Sequence, residues 1–138
     1  MLVQAMTSFA EWRAQHFPQS TVPIAVFAGE DPGSFGIPNL QRYAYGLDAL
    51  APDHSRLPRP LLRDGYLTLD LWRRPDAEDL DYALGVSSNL TAWDSSSASL
   101  QLLTPSPSND PNVSTYRALP GVTNAPQLFF KVRLNYQP

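Results

Sequence analysis

Few side chains in this sequence stand in a pattern that does chemistry. The nearest is Asp53-His54-Ser55, an acid, a base and a hydroxyl in consecutive positions. A nucleophilic triad needs those groups to converge from separate elements in front of an oxyanion hole, and sequence neighbours project in diverging directions. His16, the other histidine, lies on the aromatic side of an expected helix, where an imidazole packs against rings more readily than it serves as a base. Asp76, Glu78, Asp79 and Asp81 imitate the paired carboxylates of a glycosidase. Arg73 and Arg74 precede them, so the run reads as a solvated, charge-balanced turn between strands. There is no G-x-S-x-G elbow, no G-x-x-x-x-G-K-[ST] phosphate loop and no H-E-x-x-H zinc helix. The expectation is a protein that is not an enzyme.

Binding chemistry has more to draw on. Trp and Tyr rings on a sheet face can stack on sugar rings, which makes Trp72 and Tyr66 the candidate glycan contacts and carbohydrate a candidate partner. Trp93 follows a turn and is expected to anchor a sheet edge. Asn89-Leu-Thr91 and Asn112-Val-Ser114 match the N-glycosylation acceptor pattern in expected surface loops, so Asn89 and Asn112 are candidate glycosylation sites.

The 138 residues suffice for a single domain, with 43% hydrophobic and 17% charged side chains pointing to a globular chain. A domain of this length buries about two-thirds of the surface its unfolded form exposes. Acidic and basic residues are balanced in both halves and the net charge is -3, so no cationic arm exists to drive nucleic-acid binding. With no Cys, disulfides, thiolate zinc sites and cysteine nucleophiles are excluded together. No run approaches the ~20 apolar residues that span a bilayer, and Met1 to Thr7 lacks the basic and apolar regions of a signal peptide. No membrane insertion is expected.

Ser8 stands three residues before Glu11, the spacing of a capping box, and predicts a first helix with Phe9, Trp12, His16 and Phe17 on one side, ended by Pro18. Gln19 to Val26 reads as an extended connector. Pro38 suits the first turn of a second helix, whose stripe is Leu40, Tyr43, Ala44 and Leu47, with Gly46 near its end. Residues 51 to 65, with three prolines and no periodicity, read as a linker. From Tyr66 the period becomes two. Leu67, Leu69 and Leu71 alternate with Tyr66, Thr68, Asp70 and Trp72. The run 81 to 87 is expected to return antiparallel to that strand. Residues 99 to 104 and, more weakly, 115 to 119 follow, and 127 to 134 closes the set. The predicted fold is α+β: one domain over 1–138, with a helix-loop-helix at 8–50 and an antiparallel β portion at 66–138. Its two short N-terminal helices pack on an antiparallel β-sheet or small β-sandwich.

The order of segments resembles a module found near the C-termini of exported proteins of Verrucomicrobia-type and related bacteria. The likeness is carried by Trp12-Arg-Ala-Gln-His-Phe17, Asp31-Pro-Gly-Ser-Phe-Gly-Ile-Pro-Asn-Leu40 and Arg42-Tyr-Ala-Tyr-Gly-Leu-Asp48. Later come Arg73-Arg74-Pro75, Tyr82 to Trp93 and Phe129-Phe-Lys-Val-Arg-Leu134. In that pattern the loop between the helices is rich in Asp, as in a calcium site, and the setting is extracellular or cell-surface. Calcium takes six to eight oxygens from alternate loop positions and a closing carboxylate at the twelfth. Here Asp31 holds the first position, Gly33 and Phe35 the third and fifth, and Arg42 the twelfth. Gly36 and Asn39 remain as turn and capping residues. The resemblance therefore implies a degenerate loop in which calcium binding is lost and no cofactor is held. Arg42 is expected to pair with Asp31 or Glu30 in place of the ion.

These expectations converge on a secreted structural or adhesive module, a self-assembling subunit of a cell-surface filament that associates with itself or with other surface proteins. Leu2, Val3 and Met6 precede the first helix cap without a local partner. They are the candidate assembly residues, as a strand that completes the sheet of a neighbouring copy. The alternative is a carbohydrate-binding module beside a secreted hydrolase.

Overall fold

A computed structural model describes residues 8–75, 77–121, 123 and 127–137. Leu2, Val3, Met6 and Asp76 lie outside the described residues. The elements are α1 (Phe9–His16), α2 (Ile24–Gly29), α3 (Asn39–Ala44), β1 (Arg59–Arg63), β2 (Tyr66–Trp72), β3 (Leu80–Ser87), β4 (Leu100–Leu102), β5 (Val113–Ala118) and β6 (Phe129–Tyr136). The class is α+β, with three short helices and antiparallel strands in two sheets. The chain divides into two compact units. A helical unit comprises Met1–Arg56, Arg74–Asp81 and Leu134–Pro138, and a β-unit comprises Leu57–Arg73 and Tyr82–Arg133.

In the helical unit, α1 begins as its sequence indicates: the Ser8 Oγ accepts the Glu11 amide at 3.1 Å. Among the described residues three helices stand where two were expected. The additional one, α2, occupies a segment that Pro23 and its β-branched residues make look extended. Phe27, 1% exposed, fixes it by packing against Phe9 and Trp12, a tertiary gain that overrides local preference. Phe9, Trp12, Phe27, Tyr43 and Ala49 form the core, flanked by Leu80 at the start of β3 and Tyr136 at the end of β6. The helices thus pack on the ends of these two strands. Phe9 lies 5.2 Å from both the Tyr43 and Tyr136 ring centroids, within the range of favourable aromatic pairing.

Asp79 organises this core from a turn in which Glu78 is exposed and Asp79 half-buried. Its Oδ2 accepts the Phe9 amide at 2.7 Å, at the first turn of α1, and its Oδ1 accepts the Tyr43 hydroxyl at 2.9 Å. Its carbonyl accepts the Gln137 amide at 2.7 Å. One residue so ties α1, α3 and the final strand together across 70 positions of sequence. Arg74 also braces this tyrosine. Its Nε donates to the Tyr43 carbonyl at 2.5 Å, and its guanidinium stands 4.6 Å from the Tyr43 ring centroid.

In the β-unit the four-stranded sheet has the order β1-β2-β5-β4, and β3 pairs with β6 in a separate two-stranded sheet. Two expectations are corrected. The segment 51–65 is not all linker, because β1 occupies Arg59–Arg63, and β2 pairs with β1 and β5 instead of with β3. Asp64 and Gly65, at φ 52° and 78°, form the two-residue turn that joins β1 to β2, with Arg63 opposite Tyr66. A hairpin between β2 and β3 is excluded because the chain between them, from Arg74 on, is spent in the helical unit. Pro60 donates no backbone hydrogen bond and is tolerated because β1 is an edge strand.

The register confirms that Leu67, Leu69 and Leu71 share one face of β2, which the pairing extends to Leu62 on β1 and to Leu100 and Leu102 on β4. The opposite face is not free: Thr68 and Thr115 are fully buried there and Trp72 is 8% exposed. Arg63 makes a bidentate pair with Asp70 at 3.0 and 2.9 Å and also reaches the Thr68 hydroxyl, while Thr115 donates to Asp70 at 2.7 Å. Burial raises the Asp70 carboxyl pKa, but these donors and the nearby Arg59 charge bring it below 3.8.

The Asp79 arrangement yields a test. Asp79→Ala leaves a helix-start amide and the hydroxyl of a fully buried tyrosine without their acceptor, at about 1 to 3 kcal/mol for each group. Urea unfolding should show a loss of about 2 to 4 kcal/mol, and Tyr43→Phe a loss of about 1 kcal/mol. A neutral Asp79→Ala would contradict the arrangement.

Candidate functional site

The loop between α2 and α3 was the most informative region of the sequence, and its geometry follows from Asp31. The Asp31 Oδ1 accepts the Phe35 amide at 3.1 Å and its Oδ2 the Gly36 amide at 2.7 Å, which curls the chain back on itself. Gly36 adopts φ 80°, the left-handed region that favours glycine. Asn39 donates from Nδ2 to the Phe27 carbonyl at 3.1 Å, capping the C-terminal end of α2. Arg42, 1% exposed, donates from Nη2 to Asp31 Oδ1 and from Nη1 to the Ala49 carbonyl at 3.1 Å, with its guanidinium 4.9 Å from the Phe35 ring centroid.

A guanidinium therefore occupies the position from which a closing carboxylate would reach a cation. These residues do not fit a calcium ion: a positive group already holds the Asp31 carboxylate, and the third and fifth positions supply no side-chain oxygen. Among the described residues no three His, Asp or Glu side chains gather into a metal-holding group. Burial raises the Asp31 carboxyl pKa. The amides of Phe35, Gly36 and Ile37 and the Arg42 charge outweigh it, and the net value lies below 3.8.

The other residues singled out by type do not converge. Asp53 accepts both the Ser55 hydroxyl at 2.7 Å and the Ser55 amide at 3.0 Å, so the serine proton is directed to the carboxylate and the three residues form a turn. These bonds, with the Asp48 amide at 2.9 Å, hold the Asp53 pKa down at about 2. His16 packs on Trp12 at 5.3 Å. Trp72 is buried, so it offers no platform for a sugar, and one face of Tyr66 lies under Arg117 at 4.3 Å. Asn89 is exposed and its Oδ1 accepts the Thr91 and Ala92 amides at 2.9 and 3.0 Å, while Asn112 is half-buried just before β5.

Two clefts in the β-unit were not anticipated. Both are built on the segment 93–95, where Asp94 makes a two-way backbone bridge with Val86 of β3 at 2.9 Å. Alternation along the extended chain sends Asp94 to one side and Trp93 and Ser95 to the other. The larger cleft, about 820 Å³, is lined by Val86, Ser87, Asp94, Ser99, Leu119 and Leu128 among others. The Ser96 amide and hydroxyl and the Ser99 hydroxyl hold the Asp94 pKa below 3.8, so it is an acceptor and not a proton donor at neutral pH. The smaller cleft, about 170 Å³, is lined by Gly85, Trp93, Ser95, Lys131 and Arg133 with Ala83 and Leu84. The spacing of Lys131 and Arg133 on one face of a strand was visible in the sequence, but only pairing of β6 with β3 brings them to Trp93.

Comparisons with protein-family models, with curated proteins and with solved structures returned no match.

Asp31, Asp53, Asp70 and Asp94 all have folded-state values below 3.8. A depressed carboxyl contributes stability that is complete above its unfolded pKa and is lost as pH falls through its folded one. Urea unfolding between pH 6 and 2 should therefore show a plateau above 3.8 and a decline below it, the Asp53 share vanishing by about 2. Asp53→Asn should make the decline shallower, and a profile identical to the parent's would contradict the assignment.

Proposed function

We propose that this chain is a non-enzymatic structural or adhesive module of an exported, cell-surface assembly, acting by contact with further copies of itself. The observation that carries the reading is the outer edge of the four-stranded sheet. Among the described residues no strand lies beyond β1, which leaves its backbone groups on that side open to pairing. Its Leu61 and Leu62 are 37% and 68% exposed, and Leu62 continues the apolar face of Leu67, Leu69 and Leu71 to the rim. The occupant is the segment 1–7 of a neighbouring copy, whose Leu2, Val3 and Met6 supply apolar side chains for an added strand. Main-chain hydrogen bonds would give affinity, and Leu62 would give register. Contacts of this head-to-tail kind extend into filaments unless the rotation closes a ring. The exported-protein module that the sequence resembles supports the same setting. The carbohydrate-binding alternative is weakened at Trp72, which is buried.

Sedimentation across a concentration series tests this reading. The parent should form concentration-dependent oligomers. Leu62→Lys and deletion of residues 1 to 7 should each raise the assembly midpoint at least about tenfold, the equivalent of about 1.4 kcal/mol, with circular dichroism unchanged. A parent that stays monomeric, or variants that assemble like it, would overturn the proposal.

A further inference from the structure

The smaller cleft of the β-unit brings together a flat ring and two cations. Lys131 and Arg133 stand two residues apart on β6, so their side chains leave the strand on the same side, about 6.6 Å apart along it. Both are exposed. Most other basic groups have a hydrogen-bonded partner: Arg42 and Arg63 carboxylates, Arg73 the Tyr116 hydroxyl, Arg117 the Gln101 carbonyl, and Arg13 and Arg56 backbone carbonyls. Among the described residues Lys131 and Arg133 have no carboxylate partner, in a protein whose net charge is -3. Two like charges held this close repel, and an anion set between them relieves the repulsion.

The rest of the cleft selects what carries the anion. Trp93 is half-buried, with Lys131 Nζ 5.4 Å from its ring centroid. Its inner side rests on β3 at Gly85, where a Cβ would stand 3.4 Å from the Trp93 Cβ and 3.6 Å from its Cε3. The indole is thereby held at a fixed height beside the cations. Ser95 donates its hydroxyl proton to the Leu84 carbonyl, which leaves its oxygen lone pairs to accept from a ligand. The volume, about 170 Å³, equals about five or six water molecules at about 30 Å³ each, room for one ring and not for a packed chain.

We infer that the cleft formed by Trp93, Ser95, Lys131 and Arg133 binds an acidic saccharide residue, a pyranose bearing a carboxylate or a sulfate. The sugar ring stacks on the indole after the flexible Lys131 side chain swings aside. The anionic group sits between Lys131 and Arg133, and a ring hydroxyl donates to Ser95 Oγ. A nucleic acid is disfavoured, because two cations make no track along a phosphate backbone. This site does not depend on the assembly edge at β1.

Tryptophan fluorescence titration of the full chain reads it directly. The probes are oligogalacturonate, a sulfated galactan oligosaccharide, neutral cellohexaose, a (dT)10 oligonucleotide and inorganic sulfate. Either or both acidic oligosaccharides should perturb the fluorescence, and binding should weaken as salt is added. The two acidic probes also separate carboxylate from sulfate as the recognised group. Lys131→Gln/Arg133→Gln should weaken binding at least tenfold. Trp93→Phe should abolish the fluorescence change while retaining binding by calorimetry, and Trp93→Ala should weaken binding at least tenfold, with unfolding curves confirming that each variant folds. Equal binding of cellohexaose, tighter binding of (dT)10, full competition by equimolar sulfate, or no binding of either acidic probe would overturn the inference.

Discussion

The Arg42 guanidinium is buried away from water, and the two oxygens that its terminal nitrogens reach set the path of the chain around it, while its Nε has no hydrogen-bond partner among the described residues. Arg42, 1% exposed, can give its donors only to what the fold brings to it: the Asp31 carboxylate, eleven residues earlier, and the Ala49 carbonyl, seven residues later. Each partner fixes a different stretch of chain against α3. Asp31 in turn holds the Phe35 and Gly36 amides, so one cation sets the course of the whole loop. The cost of leaving such a charge unpaired is larger than the net gain of pairing it, which makes the contact a constraint on the path of the chain more than a source of stability. A bound ion between two helices would impose a similar constraint, with a dependence on concentration that a covalently supplied side chain does not have.

The same logic operates at Asp79, without burial of a full cation. Its carboxylate receives the first amide of α1 and the hydroxyl of Tyr43, and Arg74 closes over the other side of that tyrosine. The aromatic core of Phe9, Trp12, Phe27 and Tyr43 is therefore framed by polar contacts from residues far along the chain. Tyr136 feels this frame: burial and the Asp79 charge both raise its pKa above 10.0, so the phenol stays neutral through the physiological range. In the β-unit, Arg63 and Asp70 do for the sheet what Arg42 and Asp31 do for the helices, joining β1 to β2, with Thr115 extending the network to β5.

Much of this was legible in the sequence wherever the signal was local. Ser8 with Glu11, the alternation from Tyr66 to Trp72, and the pairing of Arg42 with Asp31 all depend on spacing within a dozen residues. The misses have two origins. The Asp64-Gly65 turn between Leu62 and Leu67 was a readable hairpin signal, obscured by the prolines around it, and with it β1 and the pairing of β2 would have followed. The second origin is nonlocal. Nothing near Asp79 reveals that its carboxylate caps a helix 70 residues away, and nothing near Trp93 reveals Lys131 and Arg133. Tertiary contact alone made one residue of an acidic turn, Asp79, a core anchor, and a residue assigned to a sheet edge one wall of a cleft.

The central claim is that Arg42 and Asp31 form one unit, each needing the other. It is tested most directly by comparing the unfolding free energies of Asp31→Ala and Asp31→Ala/Arg42→Met. Removing the carboxylate strands a buried cation, so the single variant should be strongly destabilised, and removing the cation as well should restore much of the loss. A single variant as stable as the parent, or a double variant whose loss is the sum of two independent losses, would contradict the account.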